Sequence, residues 1–221
     1  MKFSNAAKGV SKIFTAEILG LIAFVLMGIG SIAVIGAAAS SGDTVSNAAA
    51  GSMVGGGILA TIGAIIMIVG AIINIVGLVQ AGKDEPFFKY ALYAMIIYFV
   101  VSLIISIALS ASGSAKDYAS NGGTLLNLIV NVLVIQGIIN LANAKQDAKV
   151  ASKGLLIFKL IIVVTVLEII VSIIVAATQN TVAATIAIVL TLVALILGIA
   201  RYIIYLSMLS NAKKMLAEDK E

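Results

Sequence analysis

Residues 44–82, TVSNAAAGSMVGGGILATIGAIIMIVGAIINIVGLVQAG, contain no charged side chain. A helix crosses the ~30 Å hydrocarbon layer of a bilayer with ~20 apolar residues, and this run is longer than that. Uncharged runs also cover 18–42, 90–115, 118–144 and 169–200. Lipid offers no water to the backbone, so each run must pair its own N–H and C=O groups, which favours helix. The runs are too long, and alternate too little, for the strands of a membrane barrel.

Composition agrees. The chain is 62% hydrophobic and 11% charged, with a mean hydropathy of +1.19. Soluble domains carry about 25% charged residues. The sequence therefore predicts an all-α, polytopic integral membrane protein with six transmembrane helices in one domain, 1–221. The spans are expected near 16–40, 54–81, 87–111, 123–143, 153–177 and 181–211. Turn chemistry marks the breaks at Ser41-Gly42-Asp43, Asp84-Glu85-Pro86, Ser112-Gly113-Ser114, Asn121-Gly122-Gly123 and Thr178-Gln179-Asn180. Pro86, the only proline, suits the first turn of a helix, where its missing N–H has no partner to lose. The first apolar run is too long for the core of a signal peptide and is expected to remain as a span.

Charge sets the expected orientation. Lys2, Lys8 and Lys12 precede the first span. Lys83 and Lys89 flank the second connection, and Lys145, Lys149 and Lys153 the fourth. Lys213, Lys214 and Lys220 follow the last span. Lys159 and Arg201 lie just inside spans on the same side, which leaves Lys116 alone on the other. By the positive-inside rule both termini are cytoplasmic, and a bacterial plasma membrane is the expected location. The net charge of +4 is then explained by span ends and anionic lipid. No basic patch with interleaved aromatics points to nucleic acid.

Three hairpins, near 8–83, 84–149 and 150–215, look like parallel repeats. Phe14-Thr15-Ala16, Phe88-Lys89-Tyr90 and Phe158-Lys159-Leu160 open them alike. Gly70-Ala71-Ile72-Ile73-Asn74 resembles Gln136-Gly137-Ile138-Ile139-Asn140. In helix two, Gly56, Ala60, Gly63, Gly70, Asn74 and Gly77 follow the alternating step of a left-handed helix pair. Helix six carries Ala194, Gly198 and Arg201 in the same way. Small residues let helices approach closely in lipid. Such stripes serve internal packing, an oligomer face or the wall of a pathway.

Any chemistry must lie in the polar groups at membrane depth. Glu168 is the deepest ionisable residue, with Thr165 and Ser172 on its helical face. It is read either as an ion- or proton-responsive carboxylate or as a hydrogen-bonded lock between helices. Asn127 and Asn131 share one face of helix four, while Gln136, Asn140 and Asn143 lie nearly opposite. Ser102, Ser106 and Ser110 form a stripe on helix three, read as structural glue. Glu17, Lys159 and Arg201 lie near the inner leaflet, where Glu17 could pair with either cation. The alternative for the cations is snorkelling to headgroups.

With neither cysteine nor histidine, thiol catalysis and thiolate or imidazole metal sites are excluded. No H-E-x-x-H or G-x-S-x-G occurs, and Gly55-Gly56-Gly57 lacks the Lys and Ser/Thr of a phosphate loop. No enzyme, cofactor or metal is expected. The expected partners are the lipid bilayer and a second copy or larger membrane complex. A structural or accessory subunit is the first functional expectation. The alternative is a transport module, either a channel-forming oligomer or a small-solute-binding subunit, with Glu168 at its centre. In size and span count the chain resembles the substrate-binding subunits of energy-coupling-factor transporters, but it lacks the polar and aromatic outer loops that hold cargo there.

Overall fold

The computed structural model describes residues 3–40, 47–109, 115–177 and 181–218. These form α1 (Ser4–Ser40), α2 (Asn47–Ala81), α3 (Pro86–Leu109), α4 (Ala115–Ala144), α5 (Ala148–Ala177) and α6 (Thr181–Ala217). No strand occurs among the described residues. Among the described residues four stretches are long and apolar enough to cross a membrane: Ser4–Ala37, Gly51–Ala81, Ala148–Ile174 and Thr185–Ala217. The apolar stretches of α3 and α4, Pro86–Val101 and Leu128–Ala144, are shorter. The chain is thus an all-helical protein with the helices of an integral membrane protein.

α2 and α5 begin, and α6 ends, five to seven residues beyond the expected spans, and two elements differ more. α1 begins at Ser4 rather than near residue 16. Its first turns are amphipathic: Ala6, Val10 and Ile13 are buried while Lys8 is exposed. Packing of that face, not hydropathy, extends the helix. α4 begins at Ala115, so Asn121-Gly122-Gly123 lies inside the helix and makes no turn. Glycine within a helix costs about 1 kcal/mol relative to alanine, a penalty that the hydrogen bonds of a continuous helix can outweigh.

The turns between these helices are closed by backbone and side-chain hydrogen bonds. Pro86 opens α3, as expected, and Glu85 accepts there from the N–H of Phe88 through its carbonyl, at 3.3 Å. Asp84 reaches back to α1: its Oδ2 accepts from the N–H of Ala6 at 2.7 Å, and its Oδ1 from Asn5 Nδ2 at 3.0 Å. That satisfies one of the N–H groups a helix start leaves open. α4 ends with Gln146 in the left-handed region, φ 59°. The Asp147 N–H returns to the Ala142 carbonyl at 2.9 Å, the bond of a Schellman cap. Asp147 then caps α5, its Oδ1 accepting from the N–H groups of Lys149 and Val150 at 3.0 Å.

Each helix packs on the next in sequence, α6 packs back on α1, and α4 also touches α6. The helices thus form a ring in sequence order. Its base holds the start of α1, the α2–α3 and α4–α5 turns and the end of α6. The core lies at that end. Phe88, Ile135, Ile138, Ile157, Met208 and Leu209 are fully buried in it. Farther from the base, large apolar side chains such as Phe24, Ile32, Phe99 and Ile196 are exposed. Such surface is stable only against lipid or another protein.

α1 and α2 are joined more closely than any other pair. Two series of small residues, seven apart, run Gly9, Ala16, Ala23, Gly30 on α1 and Gly56, Gly63, Gly70, Gly77 on α2. They meet one to one in antiparallel order. A methyl group added at Gly77 would lie 2.9 Å from the Gly9 carbonyl oxygen, and one at Gly63 would lie 2.9 Å from that of Ala23. At Gly70 it would meet the Ala16 oxygen at 3.4 Å, and at Gly56 the Gly30 oxygen at 2.6 Å. A seven-residue period keeps both series on one seam as the helices coil, and the missing side chains let the backbones touch.

Candidate functional site

A cavity of about 370 Å³ lies between α1, α4, α5 and α6. Its position follows from the ring, because α1 packs on α2 and α6 but on neither α4 nor α5 among the described residues. Polar side chains line it from four helices: Glu17 from α1, Asn131 from α4, Thr165 and Glu168 from α5, and Arg201, Tyr202 and Tyr205 from α6. Ile157, Ile161, Val164 and Leu128 supply an apolar wall. The base of the cavity is the buried core, where Ile135 and Tyr205 belong to both.

Glu17 is held by Tyr202 from the neighbouring α6. The Tyr202 hydroxyl donates to the Glu17 carbonyl at 3.0 Å and lies 3.4 Å from its Oε2. Among the described residues no ion pair closes between Glu17 and either Arg201 or Lys159; the contact to Glu17 comes from a hydroxyl. Lys159 is exposed and does not line the cavity. Tyr205, one turn further along α6, is buried at 6% exposure. A tyrosine below the interface needs a partner for its hydroxyl, and Glu17 supplies one to Tyr202.

Glu168 is exposed to the cavity side of α5 and has no side-chain hydrogen bond or ion pair among the described residues. Ser172 does not reach a neighbour either. Its hydroxyl donates to the Glu168 carbonyl at 2.9 Å, the self-satisfied form common for serine in apolar helices. Thr191 does the same with Ala187 at 2.8 Å. The side chains of Asn127, Ser102 and Ser106, and all of Ser110, lie outside the described residues.

The opposite face of α4 is engaged at the base. Gln136 Nε2 donates to Asn140 Oδ1 at 2.9 Å, and Asn140 Nδ2 donates to Glu85 Oε1 at 3.2 Å. The α2–α3 turn is thereby tied to α4. On α2, Asn74 has its Oδ1 buried without a partner among the described residues. On α6, Gly198 has open space beside it: a methyl group there would meet nothing within 4 Å, while Ala194 is half-buried. Gly56, Ala60, Gly63, Gly70 and Gly77, by contrast, lie on or beside the α1 seam.

Sequence reasoning missed Tyr202 as a partner of Glu17 and missed Asp84 and Glu85 as helix ties. The seven-residue spacing of small residues on α1, matched on α2, was the signal for the seam. No group of three or more Asp or Glu that could hold a metal ion occurs among the described residues. The chain matches no family model, and no curated protein or solved structure matches it at a significant level.

Proposed function

We propose that the chain is a six-span membrane protein that works as a transport module, holding a small solute or ion in the cavity among α1, α4, α5 and α6. The supporting observation is the convergence of Glu17, Asn131, Thr165, Glu168 and Arg201 on one cavity. Ionisable groups inside an apolar bundle are costly and line pathways or sites more often than they fill structure. In this reading α3 and α4 complete the six spans, and the three hairpins are parallel repeats. The basic residues at their base support cytoplasmic termini in this reading, with a bacterial plasma membrane as the setting.

A structural or accessory subunit is the alternative. Gly198 favours it, because no other part of the described chain lies against it. Flux separates the two. In proteoliposomes the transport reading predicts ion or solute flux that Glu168→Gln abolishes while helical content is kept. Absence of flux in the wild type, across ions and pH, removes transport and leaves the accessory role.

A further inference from the structure

The cavity holds charges of both signs that do not neutralise one another. Arg201 forms no ion pair with Glu17 or Glu168 among the described residues, although all three line the same space. Glu17 has its contact with Tyr202. Arg201 and Glu168 are the open pair. Lys153 Nζ donates to Ser207 Oγ at 2.7 Å, which aligns α5 with α6 at the base. Counted from that contact at 1.5 Å per residue, Glu168 stands roughly 13 Å farther from the base than Arg201. That gap is too wide for a direct bond and suits a molecule lying between them.

A bare cation would be repelled by Arg201, and a bare anion by the two carboxylates. A molecule with both charges satisfies both ends. Its anionic group would meet the guanidinium, which grips carboxylate or phosphate in a fork. Its ammonium would meet Glu168, beside the hydroxyl of Thr165. The Ile157, Ile161 and Val164 wall would take an apolar body. A cavity of about 370 Å³ is large enough for such a molecule.

Resting on the transport-module reading, we infer that the ligand is a small zwitterion with an apolar body, its anionic group on Arg201 and its ammonium on Glu168. Two sources share that chemistry: a free aliphatic amino acid and the headgroup of an aminophospholipid.

The test uses the full chain in nonionic detergent with radiolabelled L-leucine and, separately, labelled dihexanoyl phosphatidylethanolamine. The competitors are 3-methylbutylamine, which keeps only the ammonium, and 4-methylpentanoate, which keeps only the carboxylate. At least one zwitterion should bind, and neither single-charge compound should compete. Arg201→Gln and Glu168→Gln should each weaken binding about tenfold or more, as loss of a charged hydrogen bond predicts. Ile162→Ala, on a lipid-exposed side of α5, should bind normally and controls for folding. Binding of leucine assigns the free solute, and binding of the phospholipid alone assigns the headgroup. Binding of neither, or equal competition by the amine or the carboxylate, overturns the inference. Zwitterion binding without flux in proteoliposomes leaves it standing and removes transport. Flux that no zwitterion affects does the reverse.

Discussion

The first and third hairpins use the same kinds of residue at the same seven-residue period and end in different structures. On α1 and α2 the seam positions are glycine or alanine on both sides, and the backbones touch along its length. On α6 the series runs Ala187, Ala194, Arg201, Met208, and on α5 it runs Gly154, Ile161, Glu168. One interrupts its small residues with a guanidinium, and the other ends in a carboxylate. Both charged side chains line the cavity. A period alone does not close a helix pair; closure needs small residues on both helices in register. Where large or charged groups take those places, the same geometry leaves space inside the ring.

The largest effect that could break this contrast is expected at the first seam. Gly56→Val places side-chain atoms against the Gly30 carbonyl, which a first methyl group already meets at 2.6 Å, and against Val34. The backbones must part, and a loss of about 3 kcal/mol is expected in SDS-driven unfolding from micelles. An unchanged midpoint would mean that the seam is not closed. A smaller loss, about 1 kcal/mol, is expected for Asp84→Ala, which removes the cap on the start of α1. Amide hydrogen exchange should rise at the first turns of α1 and stay level on α6. The smallest change is expected at Gly198→Ala. Nothing lies within 4 Å of the added methyl group, so helix propensity alone acts, with a gain of at most about 1 kcal/mol. A clear loss there would place an unseen neighbour against α6, which is what the accessory-subunit reading requires.

The helical, membrane-type fold was legible because one physical term dominates it. The uncharged runs and the basic residues at their ends leave lipid as the only sensible solvent. Residue-level contacts were less legible. Thr165, Asn131 and Glu168 were chosen for polarity at depth, and the structure brings them to one cavity with Glu17 and Arg201. That they share a space with no mutual ion pair could not be read from one chain. It depends on α1 standing off α4 and α5. The turn expected at Asn121-Gly122-Gly123 failed for a related reason, since local turn chemistry yields to the demand for continuous hydrogen bonding. The base was obscure because its packing uses residues near charges, such as Val10 between Lys8 and Lys12, that hydropathy counts as outside the span.

The central claim is that this bundle encloses a polar, water-reachable space rather than a dry seam. The chain has no cysteine, so single introduced thiols report without interference. Thr165 lines the cavity, while Ile162 on the same helix does not line it and is 63% exposed, where a bilayer would cover it. In sealed vesicles a membrane-impermeant methanethiosulfonate reagent should modify the thiol at 165 rapidly and leave that at 162 unreacted, because thiols react as thiolates and lipid suppresses ionisation. Equal reaction at both positions, or none at 165 from either side of the membrane, would contradict the account.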